Sequence, residues 1–219
     1  MYSIIGRERY HMQNRANSCD MSMINKKYEE CCNTASDINR LLPLLKKYSE
    51  ECSHITEMGV RNVTSTWAFL AGKPERLISY DIIEHPNIKH AVTAAGKAGI
   101  GFEFREEDVL DVVIEETDLL FLDTFHHYDQ LSRELRMHND RVKKYIIAHD
   151  TTTYGRKNEK MADDCYRALH EKGKDPDKYL RCTKEGLLRA IKGFLRDNKN
   201  WKIKERVRKN NGLTVLSRA

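Results

Sequence analysis

Short apolar segments alternate with helical patterns over most of this 219-residue chain. The strongest apolar segment is residues 119–122, which lie between Asp118 and Asp123. A continuous apolar run between charged residues is typical of a central strand that is covered on both faces. Because strands that alternate with helices form a parallel sheet with helices on both sides, the sequence predicts an α/β, doubly wound fold.

Turn residues and apolar spacing give the bounds of the predicted elements. Strands are predicted at residues 54–58, 77–82, 101–105, 119–122 and 145–148. Helices are predicted at residues 36–48, 64–72, 86–99, 131–142, 161–172 and 185–197. Pro43 leaves two alternatives for the first helix, which either begins near Leu42 or kinks at the proline.

The end of the chain predicts an antiparallel hairpin. Residues 201–207 alternate with a period of two, and Asn211-Gly212 separates them from the apolar residues 213–216. Asn-Gly between alternating runs is a strong hairpin signal. A parallel dinucleotide-binding fold would not end this way, whereas the methyltransferase form of the doubly wound sheet does. We therefore expect a seven-stranded, mostly parallel sheet with a C-terminal antiparallel hairpin, a Rossmann-like methyltransferase fold.

Length and composition indicate one main domain at residues 35–219. Residues 1–34 show no sustained period, so we interpret them as an N-terminal extension or lid. The sequence contains no run of about 18 apolar residues and no secretory leader pattern, and its six cysteines are irregularly spaced. These features favour a cytoplasmic protein with no membrane partner.

Acidic residues lie at or just after the carboxyl ends of all five predicted parallel strands. They are Glu57, Asp81, Asp108, Asp123 and Asp150. Ligands of open α/β sheets bind at the carboxyl ends of the strands, so these residues are candidates for ligand binding. Taken singly, each acid could equally cap a helix or face solvent.

S-adenosylmethionine would give the first three acids a use, because this cation carries hydrogen-bond donors along its whole length. We expect Asp81 to accept from the ribose hydroxyls, Asp108 from the adenine amine, and Glu57 to position the methionine end, directly or through water. Gly59 would allow the backbone to approach the ligand, and Ser65 stands where a small residue is needed. The loop lacks the later glycines of a GxGxxG pattern.

Two segments carry a resemblance to a known family. They are residues 118–135, DLLFLDTFHHYDQLSREL, and residues 145–155, YIIAHDTTTYG. They resemble the cephalosporin-hydroxylase and macrocin O-methyltransferase group, over roughly residues 53–155. The resemblance implies a class I S-adenosylmethionine-dependent methyltransferase that acts on hydroxyls of sugars or natural products, often with magnesium. The family signature falls on Asp123, His126 and Tyr128. Its second acidic position falls on His149-Asp150, where the histidine departs from the usual acid pair.

A hydroxyl is a poor nucleophile, which explains the residue types that the resemblance implies. A divalent metal, magnesium or manganese, held by Asp123, His149 and Asp150 would orient the hydroxyl and lower its pKa. His126, beside Asp123, would act as the general base because imidazole titrates near neutral pH. His149 could instead face the substrate or bond locally, and His127 is interpreted as a capping or surface residue.

The resemblance extends to methyltransferase modules of large-virus, chlorovirus-like glycan-building proteins, so a larger glycosyltransferase polypeptide is one expected partner besides the carbohydrate or small-molecule hydroxyl acceptor. Three other functions remain open. The net charge of +5 and the basic last third suit a nucleic-acid-binding protein or methyltransferase, but no nucleic-acid motif accompanies them. A nicotinamide-dependent oxidoreductase is opposed by the hairpin and the missing glycines. The third is a non-catalytic metal- or sugar-binding module.

Overall fold

A computed structural model describes residues 20–176 and 184–219. Its strands are β1 (His54–Met58), β2 (Arg76–Asp81), β3 (Gly101–Glu106), β4 (Thr117–Leu122), β5 (Val142–His149), β6 (Trp201–Val207) and β7 (Leu213–Arg218). They form one seven-stranded sheet in the order β3-β2-β1-β4-β5-β7-β6. The first five strands are parallel, and β7 pairs antiparallel with both β5 and β6. The predicted fold class is therefore confirmed.

Helices cover both faces of this sheet. They are α1 (Ser22–Asn33), α2 (Leu42–Ser49), α3 (Thr64–Ala71), α4 (Ile88–Ala98), α5 (Tyr128–His138), α6 (Asp163–Glu171) and α7 (Leu187–Asp197). Buried side chains of α1 to α4 share one apolar core with one face of the sheet, and those of α5 and α7 share a second core with the other face. No helix in the described ranges is long and apolar enough to cross a membrane.

The register of the parallel strands brings their carboxyl ends to one edge. Met58 pairs with both Tyr80 and Leu122, and Leu122 pairs with Ala148. The residues that follow these positions are therefore neighbours across the sheet. This edge is where the sequence places the candidate ligand-binding acids.

At three positions the structure corrects a prediction or decides between alternatives. Val142 was assigned to a helix, but it begins β5, because the turn at Asn139–Arg141 ends the helix and Val142 pairs with Thr117 of β4. Pro43 lies in the first turn of α2, which begins at Leu42, so the kinked alternative is wrong. Pro86 lies before α4 and not inside its first turn.

Helix α1 was not predicted. Its sequence is largely polar, and its core-facing side chains at helical spacing are Ile24 and the partly buried Tyr28, Cys31 and Cys32, of which only Ile24 is a large aliphatic residue. Ile24 nevertheless belongs to the core that α1 shares with α2, α3 and α4. Residues 22–33 of the predicted extension or lid are thus packed onto the domain, and its first 19 residues lie outside the described residues.

The C-terminal hairpin forms as predicted and places β7 inside the sheet. Asn211 and Gly212, with φ of 66° and 94°, make the turn between its strands. The turn is bonded to the segment after β5, because Thr152 N donates to the Asn211 carbonyl at 2.8 Å and Thr151 N to the Gly212 carbonyl at 3.3 Å. The hairpin therefore supports the chain directly after Asp150.

Candidate active site

Position 59 needs glycine because the chain at the end of β4 lies directly against it, and not only because a ligand needs space there. Its φ of +84° favours glycine, and an added Cβ would lie 2.1 Å from the carbonyl oxygen of Asp123. The loop that follows β1 contains two further residues with positive φ, Arg61 and Val63. Val63 is an unusual residue at positive φ, because a β-branched side chain makes this backbone conformation strained. The loop after β1 is thus pressed against the end of β4.

Asp81 ties this loop to the end of β2. Its Oδ2 accepts hydrogen bonds from the backbone N–H groups of Val60 at 2.8 Å and Arg61 at 2.9 Å. Its Oδ1 accepts from Ile83 N at 3.3 Å. The side chain is only partly buried and lies at the predicted edge of the sheet. Its contact with ribose hydroxyls stays a prediction.

Glu57 and Ser65 contact each other instead of opening into the cleft. Glu57 is fully buried, and its two oxygens accept from the hydroxyls of Ser65 at 2.6 Å, Thr66 at 2.8 Å and Ser79 at 2.6 Å. Burial raises the pKa of Glu57 to about 7, although the three hydroxyls favour its charged form. The direct contact predicted between Glu57 and the methionine end is therefore not available in this conformation.

Asp108 is held by a basic segment at the end of α6. Its Oδ1 accepts from Leu110 N at 2.9 Å, and its Oδ2 lies 3.8 Å from Lys174 Nζ, which also pairs with Asp111. Lys172 pairs with Glu106 at 2.9 Å. The predicted partner of the adenine amine is thus already paired with a cation.

Helix α6 itself lies beside the end of β2. Burial raises the pKa of the Cys165 thiol, and the charges of Asp164 and Asp81 raise it further, which indicates that Cys165 is close to Asp81. Lys172 and Lys174, which follow α6, pair with Glu106 at the end of β3 and with Asp108 after it, so the end of α6 lies on the β3 side of the candidate cleft.

The carboxyl ends of β4 and β5 hold a compact cluster of acids and histidines. His126 Nε2 lies 3.1 Å from Asp123 Oδ1 and 3.1 Å from Asp150 Oδ2, and its Nδ1 lies 2.8 Å from Glu159. His149 Nδ1 lies 3.0 Å from Asp123 Oδ1 and 3.4 Å from Asp150 Oδ2. The structure therefore brings together all four residues predicted for catalysis and metal binding, and adds Glu159.

Charge pairing sets the protonation of this cluster. Burial alone would lower the pKa of both histidines, but hydrogen bonds and the negative charges of Asp123 and its neighbours raise the pKa of His126 to about 10 and that of His149 to about 9. Burial opposes ionisation of Asp123 too, yet the two histidines hold its pKa well below the usual range. In the protein without ligands this pairing favours the charged form of His126, whereas its predicted role as general base requires the neutral form.

The residues of the cluster fit a divalent cation. One ligand atom each from Asp123, His126 and Asp150 lies within 4.8 Å of the others. Oδ1 of Asp150 is buried and has no hydrogen-bond partner among the described residues, so it is an acceptor in need of a cation or a donor. Carboxylate oxygens are the ligands that magnesium and manganese prefer. The sequence predicted His149 as the third residue of this group, whereas in the structure the third residue is His126.

Solved structures of other proteins share this fold. No family profile and no curated protein sequence matches the chain. Among solved structures, an S-adenosylhomocysteine-bound methyltransferase of Podospora anserina has 14% identity and a TM-score of 0.55, over 90% of this chain and 88% of that one. An S-adenosylmethionine-bound O-methyltransferase of Streptomyces achromogenes, involved in tomaymycin synthesis, has 12% identity and a TM-score of 0.53, over 91% of each chain.

A third structure, described as a caffeoyl-CoA O-methyltransferase of Staphylococcus aureus, has 11% identity and a TM-score of 0.55, over 91% of this chain and 93% of that one. The chain has the Rossmann-like methyltransferase fold. Identities this low establish the fold alone, so the function has to be argued from the residues of the site.

A segment after β5 fixes the histidine cluster on this methyltransferase fold. Glu159 N donates to the His126 carbonyl at 2.9 Å while the Glu159 carboxylate accepts from His126 N at 3.2 Å and contacts its ring. Asn158 accepts from Tyr128 N at 3.0 Å and bonds to the ring of His127 at 2.9 Å. Sequence analysis missed Glu159 because it lies in a polar loop with no strand end or repeat spacing to mark it.

The neighbouring residues His126 and His127 have different roles. His127 accepts from Asp129 N and so caps α5, as predicted. The ring of Tyr154 stacks on that of His126, with centroids 5.0 Å apart and an angle of 4° between the planes. Tyr154 is partly exposed, so one aromatic face lies against the catalytic candidate. Trp67, by contrast, is 4% exposed and belongs to the core.

Proposed function

We propose that this protein is an S-adenosylmethionine-dependent O-methyltransferase that methylates a hydroxyl of a carbohydrate or glycosylated product. One observation carries the proposal: on a methyltransferase fold, the carboxylates and imidazole of Asp123, His126 and Asp150 converge at the edge of the sheet where ligands of this fold class bind. This group combines hard oxygen ligands with a proton acceptor, which are the two means of activating a hydroxyl.

The methyl donor would lie over the ends of β1 and β2. Asp81 Oδ1 makes one long hydrogen bond, to Ile83 N at 3.3 Å, so it retains capacity to accept from the ribose hydroxyls. Asp108 would accept from the adenine amine after Lys174 moves away. Glu57 supports this surface from below, because its hydroxyl partners Ser65 and Thr66 lie in the first turn of α3.

Asp123 and Asp150 are the residues that would hold a magnesium or manganese ion, with His149 directly behind Asp123, and Nε2 of His126 would lie beside the ion without being its ligand. The ion would neutralise the two carboxylates and make a bound hydroxyl more acidic. Neutralisation of these two carboxylates would remove part of the negative charge that raises the pKa of His126, and would thereby favour loss of its proton. A neutral His126 is the form that can accept one.

Proton transfer would then involve His126 and Glu159. As the acceptor oxygen forms its bond to the methyl carbon, the carbon–sulfur bond breaks and S-adenosylhomocysteine leaves with the bonding electrons. The hydroxyl proton passes to Nε2 of His126. Glu159, 2.8 Å from Nδ1, stabilises the resulting imidazolium and holds the ring in its orientation.

Support for a sugar acceptor comes from the family resemblance of residues 118–135 and 145–155 and from Tyr154. Its partly exposed ring lies beside His126, and aromatic faces commonly stack on sugar rings. The same resemblance is the basis for proposing that the enzyme works beside glycosyltransferases, within one polypeptide or separately.

The proposal is tested by binding and by transfer. Calorimetric titration of the folded protein with S-adenosylmethionine and S-adenosylhomocysteine should show binding, and absence of both would end the proposal. Mass spectrometry of candidate glycans incubated with protein, cofactor and magnesium should then show one added methyl group. Excess chelator should abolish the product without abolishing cofactor binding, and full activity in chelator would contradict the role of the ion.

Asp150→Asn and Asp81→Asn separate the two halves of the site. We expect Asp150→Asn to lose transfer while it binds the cofactor, and Asp81→Asn to weaken cofactor binding. Asp129→Asn, in the first turn of α5, is the matched control and should retain both. A nucleic-acid partner is the alternative outcome, recognised by an affinity for polyanions that falls steeply with salt.

A further inference from the structure

A small cavity lies behind the histidine cluster, between the sheet and α5. Its volume is about 10 Å³, close to the space that one water molecule needs. Apolar side chains form most of its wall, among them Leu122, Leu131 and Leu187. Glu134 and His149 also line it, and each is only 1% exposed. The cavity is thus partly open and has two buried ionisable groups on its wall.

Each of these two groups has one atom without a hydrogen-bond partner among the described residues. The atoms are Glu134 Oε2 and His149 Nε2, and both are buried. Glu134 Oε1, in contrast, accepts from Thr124 Oγ1 at 2.5 Å and Gln130 Nε2 at 2.8 Å. The other ring nitrogen of His149 faces Asp123 at 3.0 Å. Because orphaned buried polar atoms are rare and costly, the pair requires an explanation.

We propose that one water molecule occupies this cavity, accepting a hydrogen bond from His149 Nε2–H and donating one to Glu134 Oε2. Glu134 is then a positioning residue. Through the water it fixes the orientation of the His149 ring, so that Nδ1 stays directed at Asp123 and Asp150. A carboxylate behind a histidine commonly serves this purpose at metal sites, and its loss typically reduces activity about 10- to 100-fold. The inference rests on the proposed function only for this effect on activity.

Glu134→Gln tests the bridge sharply. Because Thr124 and Gln130 both donate to the Oε1 position, the glutamine oxygen has to occupy that position and its NH₂ group has to face the cavity. An acceptor is thereby replaced with a donor at the one atom that the water contacts, with almost no change in volume. The variant should lose the bridge while retaining the packing of α5.

Nitrogen-15 NMR of histidine-labelled protein provides the measurement. We expect a ring N–H signal of His149 at Nε2, assigned by its disappearance in His149→Gln, and we expect Glu134→Gln to displace or abolish it. His138 is an internal reference on the same helix, since its Nε2 donates to the Val109 carbonyl at 3.0 Å, and its signal should not move. Ser132→Ala, also on α5, is the matched control and should change neither signal.

An unchanged His149 signal in folded Glu134→Gln would overturn the proposal. If that variant does not fold or the His138 signal also moves, the wild-type protein decides: a cross-relaxation signal between His149 Nε2–H and a bound water is expected, and its absence contradicts the bridge. Neither measurement needs methyl transfer. A protein that shows the bridge but binds no S-adenosylmethionine would sink the proposed function alone.

Discussion

The two halves of the candidate cleft use their acidic residues differently. On the side of β1 to β3, Glu57 and Asp81 accept mainly from hydroxyl and backbone N–H groups of the nearby chain. On the side of β4 and β5, Asp123 and Asp150 face His126 and each other. The first half uses acids to shape a surface, whereas the second half concentrates charge that an ion or a proton can exploit.

The difference shows that a strand-end acid is not by itself a ligand-binding residue. Neutral donors from the same chain satisfy a carboxylate and leave it as part of the scaffold. Asp123 instead pairs with two histidines at 3.0–3.1 Å. Their protons can leave, and a metal cation can then take over the balance of the negative charge. Four predictions test this division, from the largest expected effect to the smallest.

His126→Ala should show that chemistry belongs to the β4 and β5 half. We expect the rate of methyl transfer to fall about 100- to 10,000-fold, the usual contribution of a positioned general base, with little change in cofactor affinity. Initial rates and calorimetry measure the two effects. His127→Asn is the control because asparagine also caps helices, and it should retain activity. Equal loss in both variants would mean that the segment and not the imidazole matters.

Gly59→Ala should show that the scaffold half depends on backbone conformation. The φ of +84° and the 2.1 Å approach to Asp123 predict destabilisation of about 3 kcal/mol or more. Gly96→Ala is the matched control, since nothing lies within 4 Å of its added Cβ on the exposed side of α4; it should stabilise by about 0.5–1 kcal/mol. Urea unfolding measures both. Equal values for the two variants would refute the close approach.

Raising the pH should reduce the stability that the charge pairs at the ends of β4 and β5 provide. The pKa values of His126 and His149 are raised from 6.5 to about 10 and about 9, so their contribution to stability is complete below pH 6.5 and is lost as the pH rises through 9 to 10. The melting temperature of the metal-free protein should fall over this range. His149→Gln should flatten the dependence, and an identical slope in that variant would exclude the proposed pairing.

Lys174→Ala should have the smallest effect. Its pairs with Asp108 and Asp111 are partly exposed, so the free energy of unfolding should change by less than about 1 kcal/mol. If Asp108 accepts from the adenine amine, loss of the Lys174 pair should leave Asp108 free to bind it. Cofactor binding, measured by calorimetry, should then become a few-fold stronger at low salt. Weaker binding would show instead that Lys174 contributes to the cofactor site.

The sheet could be predicted from sequence because its signals are local. The bounds of β1 were predicted without error, and the apolar runs of β4 and β5 together with Asn211-Gly212 located the centre and the end of the fold. Helix α1 was not predicted, because Tyr28, Cys31 and Cys32, which share its core-facing side with Ile24, are not the large aliphatic residues that make a helical period conspicuous. Its place in the fold is decided by packing against helices elsewhere in the chain.

The site could be predicted in part for the same reason. Parallel strands bring their ends to one edge, so Asp123, His126 and Asp150 were expected together. Two features depend on contacts between distant segments: Glu159 adds to the effect of Asp123 in raising the pKa of His126, and the need for glycine at position 59 comes from the carbonyl of Asp123. Neither contact leaves a pattern in the sequence.

The position of β7 has a consequence for synthesis on the ribosome. Tyr145 to His149 of β5 obtain their outer partners from the last strand of the sheet, and the turn at Gly212 supports the segment after Asp150. Until those residues emerge, a nascent chain presents β5 as an unprotected edge, a template for aggregation. Emergence of β7 therefore both covers an aggregation-prone edge and completes the candidate active site, and products truncated before Leu213 should depend on chaperones.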